Sequence, residues 1–179
     1  MKVINDFDKI QAAQDFKNLP TGGYVCKILN VIDTPDREFL KIEFDIAEGE
    51  YKNYYHERYL ANDRKFWSGA TYKSYSENGL PFFKAFIEAV EESNYGYYWN
   101  WVESTLRDKL IGFVLAEEEY RNQNGEIKKR MYVAKILPIA KIREGAFVVP
   151  ELKTLKNDNE NPVPTVINLK PTTEDNLPF

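Results

Sequence analysis

Between residues 40 and 46 the chain alternates without exception: Leu40, Ile42, Phe44 and Ile46 are apolar, while Lys41, Glu43 and Asp45 are charged. Successive side chains of a strand point to opposite faces, so this two-residue period commits the segment to a sheet with one buried side. The preceding run, Tyr24-Val25-Cys26-Lys27-Ile28-Leu29-Asn30-Val31-Ile32, is rich in β-branched and apolar residues. Between the two lies Asp33-Thr34-Pro35-Asp36, a turn in which proline presets φ and aspartate side chains bond nearby backbone. A hairpin of first and second strands is the expectation, and the rest of the fold has to be built around it.

A third strand is expected at Tyr54-Tyr55-His56-Glu57-Arg58-Tyr59-Leu60, followed by a long excursion from Ala61 to Gly79. A helix opens at Leu80-Pro81, where the missing proline N–H costs nothing, and carries Phe83, Phe86, Ile87 and Val90 at helical spacing until Ser93-Asn94. Trp99, Trp101, Val102 and Leu106 fit either a second, shorter helix or a packed loop. The fourth strand runs from Lys109 to Arg121, the Asn124-Gly125 pair favours a hairpin turn, and Lys128 to Leu137 returns as the fifth. Ala140 to Val149 reads as a further extended piece, and Ile4, Phe7, Ile10, Ala13 and Phe16 suit a short amphipathic helix before Pro20.

The expected class is therefore mainly β with one or two helices. Five strands with a helix between the third and fourth is the order of an OB-fold, a partly open barrel that often binds oligonucleotides. The domain is expected over residues 1–153. Residues 154–179 are poor in large apolar groups and rich in Asn and Pro, which predicts a flexible tail.

Composition excludes several function classes. One cysteine, Cys26, and one histidine, His56, leave no material for an internal disulfide, a cysteine-cluster zinc site or histidine-based catalysis. No apolar run is long enough to span a membrane, and Met1 to Gln11 has no apolar signal core, so a cytoplasmic protein is expected. Neither an enzyme nor a bound metal or cofactor is expected. The first 153 residues hold 22 basic and 24 acidic groups, so any binding of phosphate has to come from local patches rather than bulk charge.

Two such patches stand out. Residues 51–75 hold eight rings, among them Tyr54, Tyr55, Tyr59, Trp67 and Tyr72, interleaved with cations that include Arg58, Lys65 and Lys73. Single-stranded nucleic acid exposes base faces and one phosphate per link, so its binders need rings beside cations. The plainer reading is that half of these rings sit in the core. The second patch is the hairpin of the fourth and fifth strands, with Arg121, Lys128, Arg130 and Tyr132, flanking the same expected groove. Its plain reading is a solvated hairpin with solubilising charge.

Other groups read as structural. Of Glu117-Glu118-Glu119, only the first and third share a strand face, and no partner completes a coordination shell. Cys26 lies inside the first strand and reads as core, and Gly22-Gly23 lacks a phosphate-loop lysine and reads as a turn. A hydrolase using Glu117, Glu119 and Asp45 would require the three carboxylates to converge.

The last residues, Glu174-Asp175-Asn176-Leu177-Pro178-Phe179, place two acids before a compact apolar end in an otherwise polar stretch. Such a segment suits a pocket for the ring with a cation for the carboxylate. Together with Leu19-Pro20-Thr21-Gly22-Gly23-Tyr24 and the glutamate-tyrosine strand and Asn-Gly turn within Gly112 to Arg130, it resembles the single-stranded DNA-binding proteins of bacteria and their phages. The resemblance to the phage type implies sequence-tolerant binding of single-stranded DNA in phage replication or recombination. It also implies recruitment of replication or recombination proteins through Glu174, Asp175, Leu177, Pro178 and Phe179. Bacterial members are mostly tetramers and phage members vary, so a homo-oligomer is among the states it admits. A protein-interaction module of a phage replisome or particle, without nucleic-acid binding, is the alternative.

Overall fold

The expected hairpin forms. In the computed structural model, which describes residues 17–155, β1 (Gly22–Thr34) and β2 (Phe39–Ile46) pair antiparallel, with Ile28 opposite Phe44 and Val31 opposite Ile42. A register shift between Ile28 and Asn30 leaves Leu29 as the extra residue of a bulge. The turn is a short 3-10 helix, Pro35–Arg37, closed by Glu38 in the left-handed region. The expected N-terminal helix and the tail fall largely outside the described residues, and the tail's acidic end wholly so.

The described chain is mainly β, with one five-stranded antiparallel sheet in the order β3-β2-β1-β4-β5. β3 is Ala70–Ser74, β4 Leu110–Arg121 and β5 Ile127–Leu137. The helices are α1 (Tyr54–Ala61), α2 (Leu80–Ser93) and α3 (Ile139–Arg143), with a 3-10 turn at Glu103–Leu106. β3 and β5 are the two edges, so the sheet does not close on itself.

Three expectations are corrected here. Tyr54–Leu60 is not the third strand but most of α1; the third strand lies later, inside the excursion. Residues 140–149 do not extend the sheet but hold α3 and an irregular segment. Among the described residues three helices are present rather than one or two.

The α1 correction has a physical cause in Asp45. Its side chain is buried, and its carboxylate accepts hydrogen bonds from the backbone N–H groups of Ile46 (2.8 Å), Tyr55 (2.9 Å) and His56 (3.0 Å). A carboxylate there satisfies donors that the first helical turn cannot, and complements the helix dipole. Tyr55 then packs edge-on to Phe44, with ring centroids 5.4 Å apart. Gly69 makes room, since a Cβ there would sit 2.7 Å from the Tyr55 ring.

The main core lies on one face of the sheet: Cys26 and Ile28, Leu40 to Ile46 at alternate positions, and Ile111, Phe113 and Leu115. α2 covers it with Phe83, Phe86, Ile87, Ala89 and Val90. Each fully buried side chain of this size contributes about 1.5–3 kcal/mol. Asn94 anchors the end of α2, donating to the carbonyls of Val90 and Leu110 and accepting from the Leu110 N–H. On the opposite face a smaller cluster joins Val25 and Val114 to Ile142 of α3, backed by Phe147 and Val149. Among the described residues no helix is long and apolar enough to cross a membrane.

Candidate nucleic-acid interface

The register sorts the strand residues by face. Residues directly opposite one another in an antiparallel pair point the same way. Phe39, Lys41 and Glu43 therefore lie on the face away from the main core, opposite Ser74, Tyr72 and Ala70 of β3. On the other side they face Thr34, Ile32 and Asn30 of β1.

This outer surface of β1-β2-β3 is aromatic and polar. Tyr72 is 60% exposed and Ile32 43%. The Phe39 and Tyr72 rings meet edge to face at 5.5 Å. Lys41 lies between them in sequence register, its ammonium donating to the Glu43 carboxylate at 2.7 Å. That bond raises the Lys41 pKa. Burial pushes the Glu43 carboxyl up, but hydrogen bonds from Lys41 and Asn30 outweigh it and hold the group below its usual range. Asn30 also accepts a hydrogen bond from Arg107 at 2.7 Å, which brings a second cation to the same surface. Further along, Lys27, Lys52 and His56 line a shallow groove of about 460 Å³ beside Asp45.

Of the expected site residues, Tyr72 alone stands on this face of β3. Lys73, its neighbour, points to the core side opposite Leu40, and burial lowers its pKa. Tyr55 is 7% exposed and belongs to the core, so it has no free face for a base. Tyr54 is half-buried; its hydroxyl accepts hydrogen bonds from the Leu19 N–H and from Arg58, whose guanidinium lies 5.4 Å from the Tyr54 ring. Tyr59 and Trp67 pack on each other at 5.7 Å. The Trp67 indole donates to the Gly69 carbonyl. Lys65 donates to the Leu60 carbonyl with its ammonium 5.7 Å from the Tyr59 ring. These groups form one cluster around α1, separate in sequence register from Tyr72.

The second expected patch forms as a hairpin. Lys128, Arg130 and Tyr132 lie opposite Tyr120, Glu118 and Ala116, on the same side of the sheet as Val114. Much of the charge is locally matched: Arg130 pairs with Glu118 at 2.8 Å and stands 5.1 Å from the Tyr120 ring, and Lys128 pairs with Glu126 at 3.2 Å. Arg121 donates to the Gly125 carbonyl. Lys153 lies 5.9 Å from the Tyr132 ring, and the parallel bridge between Glu118 and Lys153 brings that residue to β4. Strand pairing puts Tyr72 and the hairpin's Lys128, Arg130 and Tyr132 on one face of the sheet, with α3 seated on β1 and β4 between them.

Phe39 and Lys41, on the same outer face as Tyr72, were not among the expected residues. Their signal was the alternation of β2 itself: if Leu40 and Ile42 are buried, Phe39 and Lys41 are on the free face. Asp45 is committed to α1, Glu118 to Arg130 and Lys153, and Glu119 to the Leu155 N–H. Among the described residues no group of three His, Cys, Asp or Glu is arranged to hold a metal. No model of a known protein family matches the chain, and no curated protein matches it in sequence.

Proposed function

We propose that the chain binds single-stranded DNA without marked sequence preference, on the outer surface of β2 and β3. The observation that carries this reading is the exposed Tyr72 on the outer face of β3, with half-buried Phe39 against its ring and Lys41 directly opposite it. Rings of this kind stack on any base, and a nearby ammonium meets the phosphate that follows. The strand order supports an OB-type reading, in which the face of the second and third strands and the loops after strands one and four contact the oligonucleotide. Those loops are here Pro35–Arg37 and Asn122 to Glu126, the latter flanked by Arg121 and Lys128. On this reading the chain protects DNA during phage replication or recombination in the host cytoplasm. Glu174, Asp175, Leu177, Pro178 and Phe179 would serve to recruit partner proteins.

The test is anisotropy titration of a labelled deoxythymidine oligomer with the full chain at two salt concentrations, repeated with duplex DNA. Salt-sensitive binding of the single strand is expected. Tyr72→Ala should weaken it by about 5- to 150-fold, the equivalent of the 1–3 kcal/mol of a stacked base, while Tyr72→Phe retains most of it. Binding that is absent at low salt, or indifferent to Tyr72→Ala, overturns the proposal.

A second reading rests on a different surface. Phe82, Tyr95, Tyr98 and Trp101, on α2 and the loop beyond it, are each at least 75% exposed. Large exposed rings favour protein contacts. If DNA binding fails, an interaction module is the function that remains.

A further inference from the structure

Where the turn end of the β1-β2 hairpin meets α2, four rings, two carboxylates and the buried Leu40 line a cavity of about 220 Å³: the rings are Tyr75, Phe83, Trp99 and Trp101, the carboxylates Asp33 and Glu103. The rings adjoin at angles rather than stacking. Tyr75 to Phe83 is 6.1 Å at 69°, Phe83 to Trp99 6.2 Å at 73°, and Trp99 to Trp101 6.1 Å at 55°. An aromatic face is the negative end of its ring quadrupole. The two carboxylates add negative charge, and none of the described residues lining the cavity is a cation.

The carboxylates are placed to receive a donor. The Tyr75 hydroxyl donates to Asp33 Oδ1 at 2.8 Å, which fixes that carboxylate and leaves its second oxygen. Glu103 makes no ion pair among the described residues, although it sits in the first turn of a 3-10 helix at the cavity wall. Trp101 is held at φ 64°, a conformation costly for a bulky side chain, with its ring 77% exposed.

We propose that this cavity receives the arginine side chain of a basic segment on a partner protein. A guanidinium is planar and weakly hydrated, stacks on ring faces, and offers a fork of N–H donors to carboxylates. A phosphate chain meets the opposite field, so the cavity is a site distinct from the DNA surface proposed above, and it stands or falls independently of that reading.

The test uses the full chain and two blocked tripeptides, acetyl-Gly-Arg-Gly-amide and its neutral near-isostere with citrulline. Indole N–H resonances of Trp99 and Trp101, followed by NMR, should shift saturably with the arginine peptide and weakly with citrulline. Glu103→Gln should weaken the arginine response by on the order of fivefold, as expected for loss of a charge-assisted hydrogen bond. Trp101→Leu should weaken it by about tenfold through the lost cation–π contact. Circular dichroism of both variants confirms that they are folded, and neither substitution should change binding of a deoxythymidine oligomer. Equal response to citrulline, no response, or shifts of the same indoles by the oligomer in place of the peptide would each overturn the proposal. The last outcome would assign the cavity to a nucleobase.

Discussion

Removing the Asp45 carboxylate should uncouple α1 from the sheet, and the cost can be worked out bond by bond. The residue is 5% exposed and its two oxygens serve three backbone donors, on Ile46, Tyr55 and His56. In Asp45→Ala all three lose their acceptor. The His56 N–H is only partly buried, so water replaces that bond at little cost. The other two are buried, and each unpaired donor costs about 1–3 kcal/mol. Losing a negative group from the helix N-terminus adds up to about 1 kcal/mol. The relief of no longer burying a charge offsets part of this, so a net loss of about 3 kcal/mol is expected. Asp45→Asn separates geometry from charge, because its amide oxygen still accepts from Ile46 and Tyr55 while its NH2 opposes the His56 donor. It should cost about half as much. Urea denaturation followed by far-ultraviolet circular dichroism reads both, with midpoints shifted and slopes unchanged. On heating, Asp45→Ala should lower Tm by about 10 °C, at roughly 2–4 °C per kcal/mol for a domain of this size. A loss below 1 kcal/mol for Asp45→Ala, or equal losses for both variants, would refute the bond-by-bond reasoning.

At Gly112, a Cβ would lie 2.5 Å from Ile142 Cγ1 and 2.6 Å from the Leu137 carbonyl oxygen, so Gly112→Ala should destabilise by about 1–3 kcal/mol, read by thermal unfolding. Glu43 pairs with Lys41 at 2.7 Å, so on the proposed DNA-binding reading Glu43→Gln frees that ammonium and should tighten binding of a deoxythymidine oligomer and steepen the plot of log affinity against log salt by up to about one. The hydrogen bond to Asp33 raises the Tyr75 pKa to about 12. That phenol should ionise above the ordinary tyrosine range in an absorbance titration at alkaline pH, and Asp33→Asn should bring it down. The sign follows from the raised folded pKa: the bond contributes fully below the ordinary tyrosine range and is lost as pH climbs through about 12.

Strands with one dominant demand were legible in the sequence. β2 announced itself by alternation and β4 by Leu110 to Ala116, buried on both faces in its middle; α2 had proline at its start and Phe83, Phe86 and Val90 at helical spacing. α1 was misread because Tyr54, Tyr55 and Tyr59 favour strands by local propensity, whereas its start is fixed by Asp45, a residue of the preceding strand. β3 is five residues long with no buried side chain on its outer face, so neither length nor period marked it. The candidate site followed the same division. Tyr72, picked by its type, stands exposed on the outer face, while Tyr55, picked for the same reason, is buried in the core. Lys73 fell on the wrong side because the alternation was not applied to a strand that had not been recognised. Phe39 and Lys41 needed only the period of β2, which was already in view.

The unclosed sheet places a constraint on the chain that has nothing to do with its ligand. Among the described residues, β5 pairs with β4 alone, which leaves a row of backbone donors and acceptors that another molecule's strand could join. Along that row the sequence sets Lys128, Lys129, Arg130 and Lys135, so two copies approaching edge to edge meet like charge against like charge. These cations guard against aggregation even where they touch no phosphate. A series of neutral substitutions in the hairpin would remove that guard, and protein lost to self-association would register in a titration as weakened affinity. Light scattering on each variant, before any ligand is added, separates the two effects.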